Sequence, residues 1–241
     1  AMLDRIDQAY RAQARFVSDA SHELRTPIAV IQGYANLLNR WGTDDPAAMQ
    51  EAIDAILQET QSMTDLVEQL LFLARGDNDS LAVEPELFDL TAVAGQVVRD
   101  SQVIDQTHLM DVRWDGPVYV NCDLGLIKQA VRILMDNAMK YTPAGGGIHV
   151  EVGQDGGYAR LSVADEGIGI SPEALPHIFD RFFRADESRT RQTGGSGLGL
   201  SIAKWIAERH DGWIEVTSRQ NAGTRMTLVL PAVALPEGSD E

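Results

Sequence analysis

One cysteine, Cys122, stands in the 241 residues. It cannot form an intrachain disulfide, which fits a reducing compartment. No apolar run approaches the roughly 18–20 residues of a membrane-spanning helix, and no signal-peptide pattern is present. The segment is therefore expected to be soluble, with no direct membrane contact. Positive charge is also scarce: 20 Lys and Arg are set against 36 Asp and Glu, a formal net charge of −16. Such a field repels polyanions and argues against nucleic acid or anionic membranes as non-specific partners. A polyphosphate ligand would need local basic residues, backbone amides or a bridging cation. The hydrophobic fraction of 44% is ordinary for a globular chain.

Periodicity fills the first third of the chain. Leu3, Ile6, Tyr10, Gln13, Val17, Ala20 and Leu24 alternate steps of three and four, a coiled-coil seam interrupted once by Gln13. The seam begins almost at Ala1-Met2 and so reads as the continuation of a longer helix. It runs on through Ile31, Tyr34 and Leu38, which predicts a helix over 3–40. Pro27 lies inside it and removes the helical donor for the Glu23 carbonyl, so a bend or local loosening is expected there. His22 occupies the f position, opposite the seam, with Glu23 beside it and Thr26 one turn on. A histidine is more often a packed or solvated bystander, but this one is held into solvent beside a carboxylate.

After the breaker Trp41–Pro46, a second helix repeats the pattern through Met49, Ile53, Ile56, Thr60, Met63, Val67, Leu70 and Ala74. Leu57, Thr64 and Leu71 widen its stripe. Two antiparallel helices of this length cannot bury both stripes within one hairpin. A homodimer forming a four-helix bundle solves this economically. Helices from elsewhere in the chain are the alternative, but no other segment carries a comparable heptad.

A polar stretch, Gly76–Ser80, marks the domain boundary. The reading is residues 1–75 as a helical domain, 76–82 as linker, 83–233 as a second domain and 234–241 as a disordered tail. In the second domain, strands are predicted at 83–89, 109–114, 117–121, 147–152, 158–164, 213–218 and 224–230. Helices are predicted near 91–106, 123–141, 172–178 and 198–210. The fold class is α+β: a helical hairpin, then an α/β two-layer sandwich.

Three polar or glycine-rich clusters interrupt this sandwich. Asp136–Pro143 ends a helix; its Asn137 offers a hard, neutral oxygen suited to Mg²⁺, and Lys140 a charge for phosphate. Taken alone, it is equally a polar helix end. Asp165–Ser171 follows a strand, where an aspartate can accept an amine hydrogen bond and glycines let the backbone approach a flat base. An ordinary turn has the same composition. Gly194–Leu200 opens a helix whose first amides can hold phosphate. Its Gly-x-Gly-x-Gly lacks the preceding strand of a dinucleotide fingerprint, because the charged run Arg184–Thr193 comes before it. No Gly-Lys-Ser/Thr follows, so no Walker loop is present. Between the last two clusters lies Ile178–Asp186, aromatics suited to core packing or to the hinge of a lid.

In this order the clusters resemble the catalytic portion of sensor histidine kinases of bacterial two-component systems, over about residues 5–231. Ser21–Pro27 is similar to the H box, Asn137–Tyr141 to the N box, Asp165–Ile170 to the G1 box, Phe179–Phe183 to the F box and Gly195–Gly199 to the G2 box. The resemblance implies a dimerisation and histidine-phosphotransfer domain followed by a Bergerat-type ATP-binding domain. It makes His22 the phosphoacceptor and Glu23 the general base. Asn137 would hold Mg²⁺, Asp165 would read the adenine amine, and Gly167, Gly169 and Ile170 would complete that loop. Lys140 and Tyr141 would line the phosphate and base region. Gly195, Gly197, Leu198 and Gly199 would cradle phosphates, with Arg184 reaching from the lid. Thr26 matches the family's phosphatase motif. Two positions depart: Ile133 replaces an N-box asparagine, and Met226 a common phenylalanine, read as a packing change. The implied function is ATP-dependent autophosphorylation of His22 and transfer to an aspartate of a response-regulator receiver domain, with regulator phosphatase activity. Net phosphatase action and a phosphotransfer scaffold are the alternatives. The resemblance also places the segment in the cytoplasm as part of a membrane-anchored sensor.

Overall fold

The heptad helices form as the pattern demands. In the computed structural model, which describes residues 2–41, 45–78, 80–185 and 195–234, α1 spans Met2–Trp41 and α2 spans Pro46–Asp77. In α1, side chains are described at Asp7 and over 14–40. The predicted seam side chains of Leu3, Ile6, Tyr10 and Gln13 lie outside the described residues, as does the tail beyond Ala234. Helix α1 is continuous through Pro27, which is buried. Asp45 caps α2 by accepting from the Ala47 and Ala48 amides at 2.9 and 3.2 Å, with Pro46 in the first turn where its missing N–H costs nothing. Helix α2 runs through Gly76, so the expected linker start at 76 is too early. The Asn78 side chain closes the helix on the Ala74 carbonyl at 2.8 Å.

The helices pack on one another as a hairpin, yet much apolar surface stays uncovered. Val17 is 59% exposed, Leu57 62% and Leu71 50%. The chain separates into two compact units, 1–78 and 79–241.

In the second unit, β1 (Glu86–Asp89) leads into α3 (Leu90–Ile104), followed by β2 (Leu109–Trp114) and β3 (Tyr119–Cys122). Helix α4 (Leu124–Tyr141), β4 (Gly147–Asp155) and β5 (Tyr158–Asp165) come next, then α5 (Gly199–Arg209), β6 (Trp213–Arg219) and β7 (Gly223–Pro231). Five strands form one mixed sheet in the order β2-β4-β5-β7-β6, with only β2 and β4 parallel. β1 and β3 make a separate antiparallel ribbon. Seven predicted strands therefore divide five and two. Residue 117 is a proline and cannot donate to a ladder, so β3 starts two residues later than expected.

The two periods meet in the core. Ile127, Val131, Leu134 and Ala138 of α4 and Ile202, Ile206 of α5 are buried at helical spacing. Ile148, Val150 and Val152, then Ala159, Leu161 and Val163, then Met226, Leu228 and Leu230 are buried at every second strand position. Each of the Val, Ile, Leu and Met side chains among them contributes about 1.5–3 kcal/mol on leaving water. Met226 sits in register between Val163 and Val216 and fills a core position, as expected of a packing change. The other sheet face carries ion pairs beside the buried Val229: Arg225 pairs with Glu151 at 2.6 Å, and Arg160 with Glu215. Cys122 is buried within this fold. Burial, with Asp123 and Asp211 nearby, pushes its thiol up to about 11, so it is inert.

One predicted helix fails. Residues 172–178 hold only a single 3₁₀ turn, Leu175–His177. Pro176 has no N–H to give, and the amides of Ala174 and His177 bond three residues back, at 3.1 and 2.9 Å.

Candidate functional sites: an exposed histidine and a glycine-lined cradle

In the helical unit, His22 and Thr26 are both exposed, while Glu23 and Leu24 are half-buried. Residues four apart share a helix face, so the imidazole and the Thr26 hydroxyl project from the same surface. Ser21, the neighbouring hydroxyl, donates to the Val17 carbonyl at 2.7 Å and is held against its own helix.

In the second unit, the C-terminal turn of α4 meets two glycine loops. The Asn137 Nδ2 donates to the Ile133 carbonyl at 2.7 Å, which leaves the amide oxygen as its acceptor end. Lys140 Nζ lies 5.1 Å from the centre of the Tyr141 ring. Burial lowers the Lys140 pKa, and the Arg184 charge lowers it further. Burial raises that of Tyr141 against the opposing pull of Arg184. The three cationic and aromatic side chains thus share one partly desolvated region.

The loop after β5 is sewn to its surroundings by backbone bonds. Asp165 Oδ1 accepts from the Gly167 amide at 2.8 Å and from the Thr224 amide at 3.2 Å. Burial raises the Asp165 pKa, and those two amides pull the other way. The Ile168 amide donates to the Tyr141 carbonyl at 3.1 Å, and the Ile168 carbonyl accepts from Asn221 at 2.7 Å. Two glycines make this possible. A Cβ on Gly167 would come 2.5 Å from the Tyr141 oxygen, and one on Gly169, at φ 64°, would overlap the Arg219 carbonyl. Ile170 donates its amide to Ser218 Oγ at 2.9 Å.

The second loop reaches the same helix. Gly195, at φ 112°, passes so close to Lys140 Nζ that a side chain there would collide with it. Gly197, at φ 72°, lies under the Phe182 backbone; its carbonyl accepts the Phe182 amide at 3.0 Å. The aromatic segment and the glycine loop are therefore joined directly. Leu198 is fully buried, and a Cβ on Gly199 would meet Ile133 Cγ2 at 3.3 Å. Ile133 thus packs against the loop where a polar contact was in doubt.

Asn137, Lys140, Tyr141, Asp165, Gly167, Gly169, Ile170, Arg184, Gly195, Gly197, Leu198 and Gly199 all fall on these adjoining segments of one unit. His22, Glu23 and Thr26 lie in the other. Sequence reading overlooked Thr224 and Ser218. Alternation along β6 and β7 carries the signal: both are hydroxyl residues at inward positions otherwise held by Ile214, Val216, Met226 and Leu228.

Comparison with known proteins agrees with this division. The His Kinase A (phospho-acceptor) domain model matches residues 12–79. The model for histidine kinase-, DNA gyrase B-, and HSP90-like ATPases matches residues 122–234. The sensor histidine kinase YkoH of Bacillus subtilis strain 168 is 42% identical over 223 residues, 92% of this chain and 48% of that protein. The chain spans about half the length of the curated relatives it matches. A solved structure of the mycobacterial sensor histidine kinase MprB is 32% identical, with a TM-score of 0.56 over 63% of this chain and 100% of that one. The histidine kinase ThkA, solved in complex with the response regulator TrrA, shares the fold: TM-score 0.73, 24% identity, 97% of this chain and 67% of that one. A phosphoacceptor hairpin joined to an ATPase fold defines the class. The chain belongs to the sensor histidine kinase family.

Proposed function

We propose that the chain is an ATP-dependent protein-histidine kinase that phosphorylates His22 and passes the phosphoryl group to an aspartate of a response-regulator receiver domain. The observation that carries this reading is an exposed His22 in one unit and, in the other, a cradle with an acceptor carboxylate at one end and Lys140 at the other. Asp165 suits the exocyclic amine of adenine, because its second carboxylate oxygen is not used by the Gly167 and Thr224 amides. Lys140, Arg184 and the amides around Gly195, Gly197 and Gly199 supply the positive field that a polyphosphate needs in so acidic a chain. Leu198, buried, anchors that loop.

The Asn137 oxygen, oriented by the bond to Ile133, fits Mg²⁺. Among the described residues no three His, Cys, Asp or Glu side chains converge on a metal position. Asn137 and the phosphates would then share the ion, which neutralises charge on the transferring group when bound. Neutral His22 attacks through a ring nitrogen lone pair, a phosphorus–nitrogen bond forming as the bond to the ADP oxygen breaks. Glu23 takes up the proton that leaves the ring. The rest is positioning.

The uncovered apolar faces at Val17, Leu57 and Leu71 support assembly with a second copy as a four-helix bundle. The TrrA complex of ThkA supports a receiver domain as partner. No helix among the described residues is long and apolar enough to cross a membrane. A second reading, receiver-domain phosphatase, rests on Thr26 sharing the exposed face of His22, where its hydroxyl can position a water.

Incubation with γ-labelled ATP and Mg²⁺ tests the kinase reading. Label that is acid-labile, base-stable and lost in His22→Gln supports it; label that persists in that variant overturns it. Unchanged dephosphorylation of a cognate regulator by Thr26→Ala removes the second reading.

A further inference from the structure

On the helix-covered face of the sheet, side chains from β5, β7 and β6 line up in cross-strand rows. Leu161, Leu228 and Ile214 form one row, and Val163, Met226 and Val216 the next. The third row, at the end beside the glycine loops, is Asp165, Thr224 and Ser218. It is wholly polar although it continues an apolar layer, and Thr224 is only 8% exposed. Buried hydroxyls at such positions cost stability unless bonded, so their bonding decides what they are for.

The Ser218 hydroxyl has one proton and two lone pairs. It donates to the Gly223 carbonyl at 3.0 Å and accepts the Ile170 amide at 2.9 Å. Its second lone pair faces Thr224 Oγ1 at 2.8 Å. With the serine proton spent on Gly223, the proton in that last bond comes from Thr224. The Thr224 amide is already committed to Asp165. Thr224 therefore has no donor left: its hydroxyl turns only lone pairs toward any further neighbour, beside a carboxylate that also only accepts.

We propose that Ser218 is a positioning residue for base selection, fixing the Thr224 hydroxyl as an acceptor so that the Asp165–Thr224 edge accepts an amino-bearing purine and rejects a keto-bearing one. The inference rests on the nucleotide reading above and deepens it. A six-amino group finds acceptors at this edge. A six-keto oxygen meets lone pairs, and no rotation of the Thr224 hydroxyl can answer it while Ser218 holds the proton. Ser218 acts through two routes, Thr224 and the amide of Ile170, and so also sets the loop that follows Asp165.

The test is paired titration of Mg-ATP and Mg-GTP into the full chain, by calorimetry, for wild type, Ser218→Ala and Ser218→Thr. Loss of one oriented neutral hydrogen bond corresponds to about three- to tenfold in affinity. Ser218→Ala should narrow the ATP:GTP ratio by about that factor, and Ser218→Thr, which keeps the hydroxyl, should restore it. In autophosphorylation, the ATP KM should rise in Ser218→Ala with kcat unchanged, since the base lies remote from the transferred phosphoryl group. A purely structural serine would weaken both nucleotides alike; an unchanged ratio overturns the proposal. Equal binding of ATP and GTP by the wild type overturns the proposal and leaves the nucleotide reading standing; binding of neither removes that reading, and the proposal with it. If Ser218→Ala does not fold, Ser218→Cys keeps the volume with a weak donor and acceptor, and should narrow the ratio in the same direction.

Discussion

Asp165→Asn separates two tasks that one carboxylate performs. Oδ1 accepts the Gly167 and Thr224 amides at 2.8 and 3.2 Å. An asparagine with its oxygen in that place keeps both bonds, and its NH₂ then replaces Oδ2. A donor now faces the adenine amine. The charge-assisted bond that is lost is worth about 1.5–3 kcal/mol, or roughly 10- to 150-fold in the Kd for ATP. Stability should change little, because burial already disfavours the charge at this position. Asp165→Ala differs: it strands two buried amides at about 1–3 kcal/mol each, so it should lower unfolding free energy by about 2–6 kcal/mol. Calorimetric titration with ATP and urea unfolding of both variants supply the comparison. Wild-type affinity in Asp165→Asn, or equal stability of the two variants, refutes the reasoning.

Three further expectations follow from the same geometry. Gly169→Ala should cost at least about 2 kcal/mol in urea unfolding, from its left-handed φ of 64° together with the overlap on the Arg219 carbonyl, and should weaken ATP binding. Asp105 supplies a pH test. Burial would raise its pKa, but the Thr107 hydroxyl and amide and His108, 2.6 Å away, lower it from 3.8 to about 2. A depressed carboxylate stabilises the fold above its unfolded pKa and ceases to as pH falls through the folded one. About 2 kcal/mol should therefore disappear between about pH 4 and pH 2, and the stability difference between wild type and Asp105→Asn should shrink over that window. In the helical unit, Leu57→Lys with Leu71→Lys should shift sedimentation equilibrium from dimer to monomer while helical circular dichroism persists.

The legible parts of this chain were those where one period governs a long stretch. Two heptad helices, and the alternation of β4 and β5, follow from burial of a single stripe or face. The glycine loops were legible as interruptions, because positive φ and close approach leave few substitutes for glycine at 169, 195 and 197. Short segments were harder. Residues 172–178 carry apolar spacing that suits a helix, yet Pro176 and three-residue bonding reduce them to one turn. Gly76 reads as a breaker but is the buried penultimate residue of α2. The division of strands into a sheet of five and a ribbon of two depends on long-range pairing, which local pattern does not contain. Ser218 and Thr224 escaped notice for a related reason. Each looks like an ordinary strand residue until the register sets it beside Asp165.

In the proposed reaction the imidazole of His22 receives the phosphoryl group. Peptide mapping by mass spectrometry at neutral pH, after incubation with Mg-ATP, tests this, because Ser21 adjoins His22 and Thr26 follows four residues on, and both offer competing hydroxyls. One phosphoryl group on His22, lost in acid and retained in base, is the expected result. Phosphate on Ser21 or Thr26 that survives acid, with His22 unmodified, would contradict it.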